Sequence, residues 1–110
     1  MPESLRLVVV GVNHRTAPIE LRERIAFTSE SAAAAIGLLR TKFVGVEVVI
    51  LSTCNRVEIY VVGGEHSAEA MAGFLAEFHG VAVELVRPHL YRYEDRAVVE
   101  HLFAVASSLD

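Results

Sequence analysis

Tryptophan is absent and cysteine occurs once in the 110 residues. A single thiol excludes an internal disulfide and a cysteine-based metal cluster, and it fits a reducing cytoplasm. Basic charge is also scarce. Ten Lys and Arg against fourteen Asp and Glu leave a formal charge of -4, which argues against a general nucleic-acid coat protein. Local basic patches remain, because Arg15, Arg22, Arg24, Arg40 and Lys42 all fall in the first half. The apolar run from Leu7 to Val12 is too short to span a membrane, and Met1-Pro2-Glu3 lacks the basic lead of a signal peptide. The chain holds no internal repeat, low-complexity stretch or flexible linker, so it reads as one domain over residues 1–110. Five histidines (His14, His66, His79, His89, His101) show no zinc-ligand spacing, and no metal is expected. What is abundant is apolar surface. At 53% hydrophobic residues and a mean hydropathy of +0.41, the composition is that of a compact domain around a buried sheet.

The pattern of apolar residues orders the elements. Leu5 to Val12 predicts a buried strand with three consecutive valines, bounded by Gly11. The polar loop Asn13-His14-Arg15-Thr16 follows, and Pro18 suits the first turn of a short helix to about Ile25. Thr28 or Ser29 can cap a longer helix whose apolar face is Ala32, Ile36, Leu39 and Phe43, with Gly45 as its stop. Glu47 to Thr53 and Val57 to Val62 read as a hairpin. Ser67 opens another helix with Met71, Phe74, Leu75 and Phe78 on one face, a core stripe ending at His79-Gly80. A fourth strand is expected near His89 to Tyr93. A terminal helix from about Asp95 is expected to bury Val98, Val99, Leu102, Phe103 and Ala106. The order is β-α-β-β-α-β plus a helix, the α+β ferredoxin-like arrangement: an antiparallel sheet with helices on one face. Residues 104–110 stop without a helix cap and read as a cut through a larger protein.

The lone cysteine carries the chemistry. Cys54 follows Val48-Val49-Ile50-Leu51 and sits within Ser52-Thr53-Cys54-Asn55-Arg56, in the expected hairpin turn, where Asn55 suits a positive φ. Arg56 supplies a permanent charge that can favour a thiolate or grip a carboxylate in two-pronged fashion. Thr53 and Asn55 can donate hydrogen bonds to a polar substrate. We read Cys54 as a nucleophile; the plainer alternative is an inert thiol, with Arg56 merely paired to Glu58 two residues along the strand. His101, on the terminal helix, shares a face with the small residues Ala97, Ala104 and Ser108, which leaves room for a substrate to approach the imidazole. A packed or solvated histidine is the plainer alternative there. Gly11-Val12-Asn13-His14-Arg15-Thr16 follows a strand as a phosphate loop would, but it lacks both G-x-G-x-x-G and a P-loop lysine. No dinucleotide site is encoded, and an ordinary polar loop remains an open reading.

Three segments together resemble the N-terminal catalytic domain of the glutamyl-tRNA reductases: Gly11-Val12-Asn13-His14-Arg15-Thr16-Ala17-Pro18, Leu21-Arg22-Glu23-Arg24 and Leu51-Ser52-Thr53-Cys54-Asn55-Arg56-Val57-Glu58. The closing Val105-Ala106-Ser107-Ser108-Leu109-Asp110 is similar too, with serine at 108 where the family usually has glycine. That resemblance implies that Cys54 attacks the glutamyl-tRNA ester to form a thioester, and that NADPH reduces the thioester to glutamate-1-semialdehyde for haem and tetrapyrrole synthesis. It implies that Thr53, Asn55 and Arg56 bind substrate and that His101 matters for activity. It also implies an NADPH-binding domain following this one in the same protein, a homodimer at full length, and no membrane. Two other classes stay open on the residues alone. One is a ferredoxin-like module binding RNA or a small ligand with a passive Cys54, although the aromatic signature of an RNA-recognition motif is missing. The other is a free-standing thiol esterase using Cys54 and His101.

Overall fold

A computed structural model describes residues 6–108, with the side chain of Ser108 outside the description. Leu5 of the expected first strand, the Met1-Pro2-Glu3 start and the Leu109-Asp110 close lie outside the described residues. Four strands form one antiparallel sheet in the order β2-β3-β1-β4: β1 Leu7–Asn13, β2 Glu47–Ser52, β3 Arg56–Val62 and β4 Tyr91–Glu94. This is the ferredoxin-like topology. The consecutive valines Val8, Val9 and Val10 belong to a central strand buried on both faces, which is why β1 does not alternate.

Alternation on β1 and β3 sorts the two faces. Val8, Val10, Val12, Val57, Ile59 and Val61 point into one core with the helices α1 (Ile19–Arg24), α2 (Ser29–Lys42) and α3 (Ala68–Phe78). Thr28 caps α2 through a reciprocal box with Ser31: its hydroxyl accepts from Ser31 N at 3.0 Å, and Ser31 Oγ accepts from Thr28 N at 2.9 Å. Ser67 caps α3, which buries Met71, Phe74 and Leu75 as its spacing predicts. At the exit of β3, Gly64 holds φ +63 beside the backbone of the β2 entry. A Cβ there would lie 2.6 Å from the Val44 carbonyl oxygen, so only glycine fits.

Two expectations need correction. The segment before β4 is not extended from His89. A four-residue helix α4 (Val83–Val86) and a 3-10 turn (Arg87–His89) carry Pro88, and pairing begins only at Tyr91. One turn of helix is too short to show a period in sequence. The terminal helix α5 (Arg96–Ser108) lies on the sheet face opposite α1, α2 and α3. Of its expected core residues only Val98 is buried; Val99, Leu102 and Ala106 are exposed and Phe103 is 71% exposed. His101 faces the sheet on this helix, next to a partly open apolar hollow that Val98, Val99 and Leu102 share with Val49, Leu51, Tyr60 and Val62. Among the described residues no helix is long and apolar enough to cross a membrane.

Candidate active site

The face that α5 covers holds a charge in the middle of the sheet. β3 sends Val57, Ile59 and Val61 to the core and Arg56, Glu58 and Tyr60 to the other side. Glu58 is fully buried there. An isolated carboxylate in that position would cost several kcal/mol or lose its charge. Four donors prevent this. Tyr60 Oη donates to Glu58 Oε1 at 2.6 Å, and Glu58 Oε2 accepts from Tyr91 Oη, from His101 Nε2 at 2.5 Å and from Arg56 Nη1 at 3.2 Å. Burial pushes the Glu58 carboxyl up. The hydrogen bonds from Tyr60, Tyr91 and His101, with the charge of His101, outweigh it and hold the group below the ordinary carboxylate range. Both phenols are pushed up, first by burial and then by the bond to Glu58, so they remain donors. Because ionised Glu58 only accepts, the His101 proton facing it is on Nε2, and Nδ1 is the nitrogen left to meet a solute.

Gly11 makes room for this carboxylate. It sits opposite Glu58 in the β1–β3 register, and a Cβ on it would lie 2.7 Å from Glu58 Cγ and 2.6 Å from the Val57 carbonyl oxygen. Gly11 does not bound the strand, although its place after the valine run suggests that it does. It is interior, and its role is close approach.

Cys54 lies exposed at the tip of the β2–β3 link. Thr53 closes that link: its N–H donates to the Arg56 carbonyl at 2.8 Å, and its Oγ1 accepts from Asn55 N at 3.1 Å and Arg56 N at 3.2 Å. With the Thr53 hydroxyl doing this, Asn55 needs no left-handed backbone. Among the described non-glycine residues only Asp95 has positive φ, correcting the expectation for Asn55. Arg56 is 5% exposed and paired to Glu58. The simpler alternative for Arg56, a partner for Glu58, is therefore present in the structure alongside any role toward substrate.

A cleft of about 260 Å³ is lined by Asn13, His14, Arg15, Arg56, His101, Ala104 and Val105. It joins the loop after β1, the start of β3 and the small-residue face of α5. The loop is stiffened from within, Asn13 Oδ1 accepting from Arg15 N at 2.9 Å and Thr16 N at 3.1 Å, and from behind by His89 Nδ1 at 2.9 Å from the Thr16 carbonyl. Of the residues singled out in sequence, Arg56 and His101 meet here through Glu58. Thr53, Cys54 and Asn55 do not line the cleft; they directly precede Arg56, which does. Glu58 and Tyr91 were missed as site residues. The signal available for Glu58 was a lone acid inside the apolar strand Val57-Glu58-Ile59.

The model of the family "Glutamyl-tRNAGlu reductase, N-terminal domain" matches residues 10–110. The chain belongs to the glutamyl-tRNA reductase family. A glutamyl-tRNA reductase from Thermodesulfovibrio yellowstonii is 47% identical over 96% of this chain and 27% of its own length. One from Neisseria meningitidis is 41% identical over 96% of this chain and 25% of its own. The solved structure of glutamyl-tRNA reductase from Methanopyrus kandleri superposes with a TM-score of 0.64 at 31% identity, over 92% of this chain and 22% of that one. The chain thus spans about a quarter of the length of the relatives it matches. NADPH, which the family implies, does not fit the residues present. The loop after β1 lacks the glycine spacing a pyrophosphate requires and leads into a helix of only six residues. Among the described residues no three His, Cys, Asp or Glu side chains converge as a metal site.

Proposed function

We propose that this domain takes the glutamyl group from glutamyl-tRNA onto Cys54, as the first half of a glutamyl-tRNA reductase reaction. The Cys54 sulfur, as thiolate, forms a C–S bond to the ester carbonyl carbon. The C–O bond to the tRNA terminal ribose breaks, and the ribose oxygen leaves with the proton that the Cys54 thiol gave up on becoming thiolate, carried by the Nδ1 of His101 in this reading. His101 is assigned to that proton or to orienting the ester, with Nδ1 toward the substrate and Nε2 anchored on Glu58. Thr53, Asn55 and Arg56 are assigned to binding the glutamyl group. The observation that carries this reading is the exposed thiol on a turn that runs, two residues later, into the Arg56–Glu58–His101 network beside a cleft.

In this reading the reduction to glutamate-1-semialdehyde, for tetrapyrrole and haem synthesis, is assigned outside these residues, because the loop after β1 lacks the glycine spacing that a pyrophosphate requires. It belongs in this reading to a following NADPH-binding domain of the same protein, in a cytoplasmic enzyme that is a homodimer at full length. The test is release of free tRNA from glutamyl-tRNA by the 110-residue chain. Release with the native chain and none with Cys54→Ser supports the proposal; equal release by both, or none by either, counts against it.

A further inference from the structure

Leu21-Arg22-Glu23-Arg24 stood out in the sequence, and nothing above uses its charged residues. Leu21 is buried in the core and Arg22 is half-buried. From α1, Arg22 Nη1 donates to the Cys54 carbonyl oxygen at 3.2 Å, across 32 residues of sequence. The bonds that close the β2–β3 link are made by Thr53, Asn55 and Arg56, so this contact from outside is what holds Cys54 itself. Its Nε–H is buried with no acceptor among the described residues. A free surface arginine would turn that donor to water.

A second tether runs beside it. Phe27 N, in the link between α1 and α2, donates to Ser52 Oγ at 2.9 Å at the last residue of β2. That link is fixed in turn by Phe27 against Phe78 and His79, and by His79 Nε2 at 3.1 Å from the Ala26 carbonyl. The exposed turn is therefore braced from α1 and the 26–27 link at two points either side of Thr53.

We propose that Arg22 is a positioning residue for the Cys54 nucleophile, fixing the carbonyl of residue 54 so that the thiol keeps one approach to the ester. This rests on the reading of Cys54 given above. A guanidinium holds a carbonyl at a set distance and angle, whereas a lysine can satisfy the charge without the geometry. Misplacement of a nucleophile lowers the rate of the bond-forming step while leaving substrate affinity in place.

The experiment is single-turnover acylation of the 110-residue chain by glutamyl-tRNA, comparing native protein, Arg22→Gln, Arg22→Lys and Cys54→Ser. The expected result for Arg22→Gln is a saturating acylation rate about tenfold lower with half-saturation little changed, and for Arg22→Lys a partial recovery. Alkylation of Cys54 by iodoacetamide should hardly change in either, because a small reagent reaches an exposed thiol from any side. If Arg22→Gln fails to fold, Arg22→Lys decides: a native acylation rate in a folded Lys variant overturns the inference. A native rate in Arg22→Gln, with Cys54→Ser inert, overturns this inference alone. An adduct formed by Cys54→Ser overturns the nucleophile reading and this inference with it.

Discussion

Replacing Glu58 with glutamine keeps the shape of the side chain and removes its charge. In the native domain one buried carboxylate accepts from Tyr60, Tyr91, His101 and Arg56. Glutamine offers one oxygen for these four donors, and its amide nitrogen is a fifth donor facing them. Arg56, 5% exposed, loses its contact with the Glu58 carboxylate. Each bond to a charged group contributes about 1.5–3 kcal/mol, and breaking a buried pair from one side costs about 3–5 kcal/mol. Glu58→Gln should therefore lose about 3 kcal/mol at pH 7, a fall in Tm on the order of 15 °C for a domain this size. The pH dependence has a definite sign. The folded carboxyl lies below its ordinary value, so its stabilising contribution is complete above the unfolded pKa and is lost as pH falls through the folded one. The gap in Tm between native and Glu58→Gln chains should be widest near neutrality and close as the pH drops below the ordinary carboxylate range. Thermal melts from pH 7 downward by circular dichroism measure this. A variant melting within a degree or so of native at pH 7, or a gap that does not change with pH, would refute the ionised-anchor argument.

Other substitutions probe the same arrangement. Gly11→Ala should destabilise by about 2 kcal/mol or more through overpacking against Glu58 and the Val57 carbonyl, measured by urea unfolding; a neutral result would mean that β1 and β3 can separate without cost. His101→Gln should slow acylation of Cys54 more than it alters Tm, since Glu58 keeps three of its donors; equal proportional losses would make His101 structural only. Arg56→Lys, in a full-length enzyme carrying this domain, should weaken discrimination between glutamyl-tRNA and glutaminyl-tRNA. Unchanged discrimination and kcat/KM would leave Arg56 as the partner of Glu58 and nothing more.

The order of strands and helices was legible because the strands carried apolar runs and the two core helices α2 and α3 carried both a period and a cap. Thr28 and Ser67 cap where the sequence indicates, and the Met71-Phe74-Leu75 stripe is core. The site was legible only as separate letters. Cys54 and Arg56 stand two residues apart, and Arg56 and Tyr60 flank Glu58 on β3, but the other two donors to Glu58 come from β4 and α5, 33 and 43 positions away, and no local pattern records that. On α5 the apolar residues predict burial of Leu102 and Phe103, but β4 and β1 supply too little sheet to cover them: Leu102 borders an open apolar hollow with Val49, Leu51 and Tyr60, and Phe103 is exposed. The turn at Asn55 misled for a smaller reason: a side-chain hydroxyl, Thr53 Oγ1, took over the role assigned to backbone conformation.

The central claim is that Cys54 becomes covalently glutamylated, and mass measurement tests it without intermediaries. The 110-residue chain is mixed with glutamyl-tRNA, with and without NADPH, quenched in acid and weighed intact. The account predicts a chain heavier by one glutamyl group, located on Cys54, absent from Cys54→Ser and indifferent to NADPH. An adduct that persists in Cys54→Ser, or semialdehyde made by this chain when NADPH is added, would contradict it.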